Sequence, residues 1–377
     1  MSVFQRRAVK IGLLLWLNNE KRECFIVNTV KSAIFVLSKE IHMKLLVTGA
    51  SGFIGSFLVE SGIERGYEVW AGMRSTSSRT FLPVEHVSFV ELDLASPEKL
   101  ASQLIAFKKE FGRWDYVIHA AGVTKCIDKK DFFRVNYEGT KNLVDALETL
   151  GMAPLKFIYL SSLSVFGPVR EGLPYTPIMD CDVPCPDTEY GKSKLMAERY
   201  IMGHASFPYM ILRPTGVYGP REKDYFKMAL SIKKHVDFAV GYRPQVITFI
   251  YVKDLVKAVF LAMESKVENR CYFVSEPQGY GSRAFSDLIQ REMGVKHVLH
   301  IKAPVWLLKV ISLCAGLLSG FTGKPSTLNS DKYRIMKQRN WLCDTEPIEK
   351  ELGFKAGYTL EKGTIETIKW YKKEQWL

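Results

Sequence analysis

Lys44-Leu-Leu-Val-Thr-Gly-Ala-Ser-Gly-Phe-Ile-Gly55 decides the fold of this chain of 377 residues. Four β-prone residues run into glycines at positions 49, 52 and 55, and apolar residues then recur at helical spacing. This pattern predicts a strand, a tight turn and a helix. Gly49 can take a backbone conformation that a Cβ atom would hinder, and Gly55 lets the helix pack close to the strand.

The same turn has the chemistry of a phosphate site. Gly52 lets the backbone come against a pyrophosphate, and the N–H groups of the first helical turn face the phosphates, where the helix dipole favours negative charge. A plain structural turn is the alternative, so the interpretation depends on the motifs in the rest of the chain. The expected contacts with a dinucleotide are Gly49, Ser51, Gly52, Phe53, Ile54 and Gly55.

The composition is that of a globular protein, with 47% apolar and 24% charged residues in a chain long enough for two lobes. The net charge of +12 is spread along the chain. It indicates a solvated basic surface, with anionic ligands or a membrane surface as alternatives, and it does not favour nucleic acid. The seven cysteines lack metal-like pairing, so we expect reduced cytosolic thiols and neither zinc nor disulfides.

Residues 1–42 do not resemble part of the domain. Two apolar runs, 11–17 and 24–37, are shorter than a spanning helix needs, and no small-residue cleavage site follows the first. Met43 stands one residue before the first strand, so we expect it to be the natural start and the preceding segment to be an extension. A leader that associates with a membrane is the alternative.

From Met43 onward, strand and helix patterns alternate regularly. This alternation predicts an α/β fold with a doubly wound parallel sheet, in which ligands bind at the carboxyl ends of the strands. We expect a Rossmann domain over 43–215 with a return segment near 246–265, and a smaller substrate-binding lobe from 216–245 and 266–377. After the first strand, the expected strands are Glu68–Met73, Val87–Leu92, Tyr116–His119, Phe157–Ser161 and Tyr209–Arg213.

The end of the second strand indicates which dinucleotide binds. An NAD site usually has a carboxylate there for the ribose hydroxyls, whereas this chain has Met73 and then Arg74. A cation suits a 2′-phosphate, so NADP(H) is favoured, with NAD as the alternative if Arg74 is only a surface residue. Asp93 is placed to meet the adenine, or it caps a helix. The small residues Ala120, Ala121 and Gly122 end the fourth strand, as a backbone beneath a dinucleotide requires.

A candidate catalytic group follows the fifth strand. Tyr190 and Lys194 are four residues apart at the head of a predicted helix, and this spacing places both on one face. An ammonium near a phenol favours the phenolate, so we expect a lowered pKa for Tyr190 and a role as general acid or base. Ser162, at the strand end, could hold the substrate oxygen. Tyr-x-x-x-Lys alone is a common accident on helices, but the glycine turn and the hydroxyl cluster make chance a poor explanation.

These motifs together resemble the extended short-chain dehydrogenases/reductases of the NAD(P)-dependent epimerase/dehydratase superfamily, over essentially Met43–Leu377. Further supporting residues are Asp93-Leu94, Asn136 and the stretch 213–220. The resemblance implies that Tyr190 is the acid/base, that Lys194 also holds the nicotinamide ribose and that Ser162 polarises a carbonyl. It also implies a catalytic place for Asn136, cofactor contacts at Leu94, and a homodimer through segments near 131–150 and 192–202. The residues implied to line the nicotinamide side are Pro214, Thr215, Gly216 and Val217.

Two branches of the superfamily remain open. Sugar-nucleotide epimerases and dehydratases commonly carry Tyr where this chain has Phe166, and often an acid where it has Met73. The Arg74 pattern and the C-terminal tail are similar to dihydroflavonol-reductase-like and 3β-hydroxysteroid dehydrogenase-like enzymes. The resemblance therefore implies hydride transfer on a secondary alcohol or ketone of a hydrophobic small molecule, with a sugar-nucleotide epimerase or dehydratase as the alternative. A nucleotide-sensing protein without chemistry is disfavoured by the Tyr190–Lys194 pair.

The apolar run 305–321 falls in the expected substrate lobe. Lys309 and the glycines favour a buried helix, and the alternatives are a lid at a membrane surface, which would admit a lipid ketone, or a true span. The expected location is the cytoplasm, with peripheral membrane contact left open.

Overall fold

The computed structural model describes residues 42–312 and 330–377. The expected extension at residues 1–41 and the part of the apolar run at 313–321 therefore lie outside the described residues. The chain from Met43 onward forms one compact unit.

A seven-stranded parallel sheet forms the centre of this unit. Its strand order is β11-β6-β5-β4-β1-β2-β3, so β1 lies inside the sheet and the chain winds outward from it, first through β2 and β3 and then through β4, β5, β6 and β11. The predicted doubly wound sheet is confirmed. The strands are β1 (Lys44–Thr48), β2 (Glu68–Met73), β3 (Ser88–Glu91), β4 (Tyr116–His119), β5 (Lys156–Leu160), β6 (Tyr209–Pro214) and β11 (Arg270–Val274).

Helices cover both faces of the sheet, because successive residues of a buried strand point to opposite sides. Leu45 and Val47 of β1 pack on one face with helices α1 and α6, and Leu46 packs on the other with α2, α3 and α4. Each such buried aliphatic side chain stabilises the fold by roughly 1.5–3 kcal/mol. The helices are α1 (Phe53–Glu64), α2 (Pro97–Phe111), α3 (Gly139–Thr149), α4 (Glu189–His204) and α6 (Val252–Glu264).

The smaller lobe is built from chain after β6. It contains three two-stranded pairings, β7 with β10, β8 with β13 and β9 with β12, and a separate aromatic core that includes Tyr218, Phe285 and Tyr371. Its strands are β7 (Gly216–Tyr218), β8 (Val236–Val240), β9 (Val246–Ile247), β10 (Phe249–Tyr251), β12 (Tyr280–Gly281) and β13 (Leu299–Ala303). Its helices include α5 (Asp224–Lys233), α7 (Ala284–Met293), α8 (Ser330–Lys337) and α10 (Leu360–Lys373), whereas α9 (Glu346–Leu352) packs in the main core.

The boundary between the lobes differs from the prediction. Residues 266–377 were expected in the substrate lobe, but β11 pairs with β6 in the main sheet. Ile348 and Leu352 of α9, together with Phe354, also pack in the main core. The apolar run of β11 is short and comes after the lobe insertion, so local pattern alone does not assign it to a sheet.

Residues 305–312 are helical. Among the described residues, no helix is long and apolar enough to cross a membrane.

Candidate active site

The glycine turn lies against the end of β4. Gly49 has a φ of +68°, and a Cβ atom on it would come within 2.7 Å of the Ala121 Cα atom. A Cβ atom on Gly55 would collide with the carbonyl oxygen of Gly49. Both glycines are therefore required by the close approach of turn, helix and strand, as the sequence predicts.

The start of α1 is open to an anion. Gly52 precedes the helix, no side chain caps its first N–H groups, and its first turn carries no acidic residue. Ser51, Phe53 and Ile54 belong to this same turn and helix start. Backbone N–H groups at a helix start favour negative charge, so the turn fits the pyrophosphate of a dinucleotide.

The ends of β2 and β3 flank this turn. The N–H group of Gly49 donates to the carbonyl of Gly72 at 3.1 Å, and Arg74 lies exposed two residues further on. Asp93 accepts the N–H of Ala95 at 3.2 Å in the turn before α2, and the cap residue of α2 is Ser96, so Asp93 does not cap the helix. The carbonyl of Leu94 accepts a hydrogen bond from Asn142 at 2.9 Å. The structure thus brings the predicted cofactor residues to one edge of the sheet.

The predicted residues 214–217 lie at the same edge, where β6 ends. Thr215 donates from its N–H group to the carbonyl of Val274, and its hydroxyl donates to Ser275 at 3.2 Å. Gly216 and Val217 continue into β7. Pro214 and its neighbours therefore connect the main sheet to the smaller lobe.

Helix α4 carries the predicted catalytic pair on its first turns. The helix begins at Glu189, and the hydroxyl of its cap residue Thr188 accepts the N–H of Gly191 at 3.0 Å. The N–H group of Tyr190 donates to the carboxylate of Asp331 in α8 at 3.1 Å. Two donors of the helix start are thus satisfied by side chains, which fixes the backbone at the tyrosine.

The Ser162 hydroxyl lies beside the Tyr190 phenol, and this interaction lowers the pKa of the phenol. Ser162 accepts the N–H of Ser164 at 3.2 Å, so its own hydroxyl proton is free to donate. The buried hydroxyl of the neighbouring Ser161 has no hydrogen-bond partner among the described residues. Of the strand-end hydroxyls, Ser162 is therefore the one that meets the tyrosine.

The structure contradicts the expected lowering of the Tyr190 pKa. Its pKa is raised, because burial disfavours the phenolate more than the hydrogen bond from Ser162 favours it. Lys194 does not lower this pKa in the structure, since its ammonium donates instead to the carbonyl of Leu160 at 2.8 Å. Helical spacing places both residues on one face, but the direction of the lysine side chain is decided by β5.

Lys194 is itself buried. Burial lowers its pKa to about 8, against an opposing effect of Glu198. Its ammonium lies 4.7 Å from the ring centre of Tyr159, and a Cβ atom on Gly122 would lie 3.2 Å from its Nζ atom. The lysine therefore reaches from α4 to the ends of β4 and β5, beside the expected dinucleotide site.

Asn136 lies beside the same glycine as Lys194, since a Cβ atom on Gly122 would lie 3.0 Å from its Oδ1 atom. It lies in a π-helical segment, Phe133–Glu138, and its amide donates to the carbonyl of Val123 and to the hydroxyl of Ser193, at 3.1 and 3.0 Å. Ser193 donates to the carbonyl of Tyr190 at 2.8 Å. Asn136 therefore positions α4 through Ser193, and its catalytic place stays a prediction.

A buried histidine continues this network, which sequence reasoning missed. His119 contacts the hydroxyls of Thr48 at 2.6 Å and Thr140 at 2.9 Å. Thr140 donates to the carbonyl of Asn136, so His119 donates to Thr140 and accepts from Thr48. Burial, and to a lesser degree Lys194, lowers the pKa of His119 to about 3, so the ring is neutral.

Sequence reasoning also missed the ion pair between Glu198 and Arg213. Glu198 is fully buried, and Arg213 donates to it at 2.7 Å. Tyr190, Lys194 and Glu198 are spaced by four residues each along α4, and this repeat was the available signal. The pair holds the helix against β6, below the catalytic residues.

The fold and this site define a dinucleotide-binding oxidoreductase. The chain belongs to the NAD dependent epimerase/dehydratase family, whose model matches residues 45–274. The resemblance that the motifs predicted is thereby confirmed, as is an NAD(P)-dependent enzyme of the extended short-chain dehydrogenase/reductase type.

Two relatives show how the family divides. A 3-beta-hydroxysteroid dehydrogenase of Mycolicibacterium neoaurum is 29% identical over 250 residues, which are 62% of this chain and 65% of that protein. The match therefore spans slightly less than two thirds of that relative. A UDP-glucose 4-epimerase of Vibrio cholerae is 25% identical over 343 residues, which are 87% of this chain and 95% of that protein.

A solved structure supports the fold. The Bordetella bronchiseptica enzyme WbmG in complex with NAD superposes with a TM-score of 0.70, over 89% of this chain and 96% of that chain, at 22% identity. That likeness concerns the architecture alone.

Proposed function

We propose that this enzyme interconverts a ketone and a secondary alcohol on a hydrophobic small molecule. The observation that carries the proposal is the contact between Tyr190 and Ser162 at the carboxyl edge of the sheet, with Lys194 beside Gly122. The similarity to a 3-beta-hydroxysteroid dehydrogenase supports an apolar substrate.

The reaction needs a hydride at carbon and a proton at oxygen. A bound nicotinamide supplies the hydride in one direction and accepts it in the other. The raised pKa of Tyr190 keeps its phenol protonated at neutral pH, so Tyr190 donates its proton to the substrate oxygen. Ser162 donates a hydrogen bond to the same oxygen. Lys194, whose ammonium lies beside Gly122, would hold the nicotinamide ribose. A protonated phenol suits the reducing direction.

The cofactor proposed is NADP(H). The glycine turn would hold the pyrophosphate, and Arg74, exposed directly after β2, whose last residue is Met73 and not an acid, would pair with a 2′-phosphate. NAD is the alternative, because the family is NAD-dependent.

A sugar-nucleotide epimerase is the second candidate, supported by the similarity to the Vibrio cholerae enzyme. Such an enzyme would keep its cofactor bound and regenerate it in each turnover. Purified protein that already carries NAD and turns over a nucleotide sugar would favour this candidate.

The test begins with fluorescence titrations of the full chain with NADPH and NADH. Arg74→Ala should shift the ratio of the two dissociation constants roughly tenfold toward NADH, because a charge-assisted contact is lost. Arg113→Ala, which removes a cation that donates to the carbonyl of Ala153, is the matched control. A wild-type preference for NADH, or an unchanged ratio in Arg74→Ala, contradicts the cofactor proposal.

Hydride transfer is then measured on steroid, long-chain keto and nucleotide-sugar candidates. Tyr190→Phe should lower kcat by about 10²–10⁴-fold, since only the proton donor is lost. Tyr67→Phe is the control. Tyr67 lies just before β2, away from the catalytic pair, and its phenol donates to Glu264. Equal activity of Tyr190→Phe and wild type contradicts the proposed mechanism.

We also propose a homodimer through α3 and α4. Met196 and Met202 on α4 are exposed, as interface residues would be in a single chain. Sedimentation velocity should give a dimer that Met196→Glu dissociates. A wild-type monomer contradicts this arrangement.

A further inference from the structure

The smaller lobe exposes several large apolar side chains at one place. Phe238, Leu299 and Trp306 leave 60%, 64% and 67% of their surface exposed. We name this region the Trp306 surface; it consists of Phe238, Tyr242, Leu299, Ile301, Trp306 and Val310, all exposed.

The strand pairing explains why these residues are neighbours. In the parallel β8–β13 pair, Ile301 lies opposite Phe238, and Leu299 points to the same face because it is two residues from Ile301. On the opposite face, Asp237 accepts a hydrogen bond from Ser286 of α7 at 2.9 Å and contacts His300 at 3.1 Å, while His300 and Lys302 are exposed. Phe238, Leu299 and Ile301 are therefore exposed apolar neighbours on one face of the pair.

The helical segment 305–312 extends this face. The N–H group of Gly241 donates to the carbonyl of Ala303 at 2.8 Å, and the hydroxyl of Tyr242 donates to the backbone carbonyl of Lys302 at 3.2 Å. The segment therefore starts beside the β8–β13 pair. Leu308 and Ser312 are buried, whereas Trp306 and Val310, also four residues apart, are exposed. The segment thus exposes apolar side chains next to the β8–β13 pair.

The charges around this surface have one sign. The two segments that build it, 233–243 and 296–312, contain the exposed cations Lys233, Lys234, Arg243, Lys296, Lys302 and Lys309. Their single acidic residue is Asp237, which is buried on the opposite face of the pair. The Lys302 ammonium lies 5.9 Å from the ring centre of Tyr242, and the two segments carry no exposed carboxylate.

We propose that the Trp306 surface binds the headgroup region of an anionic phospholipid bilayer. Trp and Tyr side chains prefer this region, the exposed apolar side chains of segment 305–312 would enter it, and lysines extend their ammonium groups to the lipid phosphates. Charge complementarity favours an anionic bilayer over a second copy of this chain, because two such surfaces would bring twelve cations together. This binding does not depend on the proposed function.

The test is co-sedimentation of the full chain with vesicles. Wild type should bind mixed phosphatidylcholine–phosphatidylglycerol vesicles and bind phosphatidylcholine vesicles much more weakly, and added salt should weaken the binding. Lys302→Glu with Lys309→Glu should reduce the partition coefficient at least roughly 25-fold, since each lysine near the surface contributes about fivefold. Lys109→Glu with Lys129→Glu, two exposed lysines elsewhere, is the matched control.

The apolar part has its own variants. Phe238→Ser with Trp306→Ser should reduce binding about tenfold or more, whereas Val183→Ser, at a side chain 78% exposed in another loop, should not. Every variant contains residues 1–42, so a difference in vesicle binding between a variant and wild type arises from the Trp306 surface. Absence of wild-type binding, equal binding to both vesicle types, or unchanged binding of the surface variants overturns the proposal. A dimer that Phe238→Ser with Trp306→Ser converts to monomer, without vesicle binding, would assign the surface to a second copy instead.

Discussion

Asp331 of the smaller lobe accepts a hydrogen bond from the backbone N–H of Tyr190 at 3.1 Å. Its other carboxylate oxygen is buried and has no hydrogen-bond partner among the described residues. Arg334, one turn later in α8, donates to the carbonyl of Asp187 just before α4. The lobe expected to bind substrate thus holds the start of the catalytic helix.

Asp331→Ala should therefore weaken both stability and catalysis. Loss of a helix-start acceptor costs about 1 kcal/mol, and kcat should fall because the tyrosine backbone loses its anchor. Denaturant unfolding and kcat measure the two effects. Asp331→Asn retains an acceptor oxygen, so its free energy of unfolding and its kcat should lie between those of Asp331→Ala and wild type. If Asp331→Ala matches wild type in both measurements, the contact has no such role.

Lys194 should make stability depend on alkaline pH. Its pKa is about 8 in the folded protein and 10.5 ordinarily, so between these values the unfolded chain binds more protons. Wild type should accordingly gain up to about 3 kcal/mol relative to Lys194→Met as pH rises from 8 to 10.5. Urea unfolding at several pH values measures this gain, and Lys192→Met, a surface lysine of the same helix, is the control. Parallel profiles of wild type and Lys194→Met would disprove the burial effect.

His119 should make the protein sensitive to acid. The unfolded histidine takes up a proton below its ordinary pKa of 6.5, whereas the buried ring stays neutral until about pH 3. Between pH 6.5 and 4.5, the free energy of unfolding should therefore fall by about 2 kcal/mol more in wild type than in His119→Asn. The exposed His86→Asn should follow wild type. Above pH 7, His119 is neutral in both the folded and the unfolded chain and does not change the pH dependence of stability. If the stability profiles of wild type and His119→Asn still differ in slope above pH 7, another group is responsible.

Glu198→Gln should be strongly destabilising. It leaves Arg213 buried, with Asp180 at 3.5 Å as the other carboxylate in reach. Breaking a buried ion pair costs about 3–5 kcal/mol. Thermal or urea unfolding measures the loss, and Glu189→Gln, at a surface pair with Lys192, should cost under about 1 kcal/mol. Replacing both Glu198 and Arg213 by Met should recover much of the stability; if it does not, the cost arises from packing rather than charge.

The sequence by itself determined the features that depend on local pattern. Glycine spacing in 49–55 encodes a turn that only residues without Cβ can form, and strand–helix alternation encodes the doubly wound sheet, so both were predicted. The four-residue spacing of Tyr190 and Lys194 likewise requires only helix geometry. Since parallel strands end at one edge, the predicted site residues had to meet there.

Only the tertiary structure decided what those residues touch. The direction of the Lys194 ammonium depends on the carbonyl of Leu160, and the pKa of Tyr190 depends on burial, which no spacing reveals. Asp331 reaches Tyr190 from 141 residues away in sequence, and β11 joins β6 across the lobe insertion. Such long-range contacts and the dielectric around a side chain arise when distant segments pack together, and therefore local sequence patterns do not contain them.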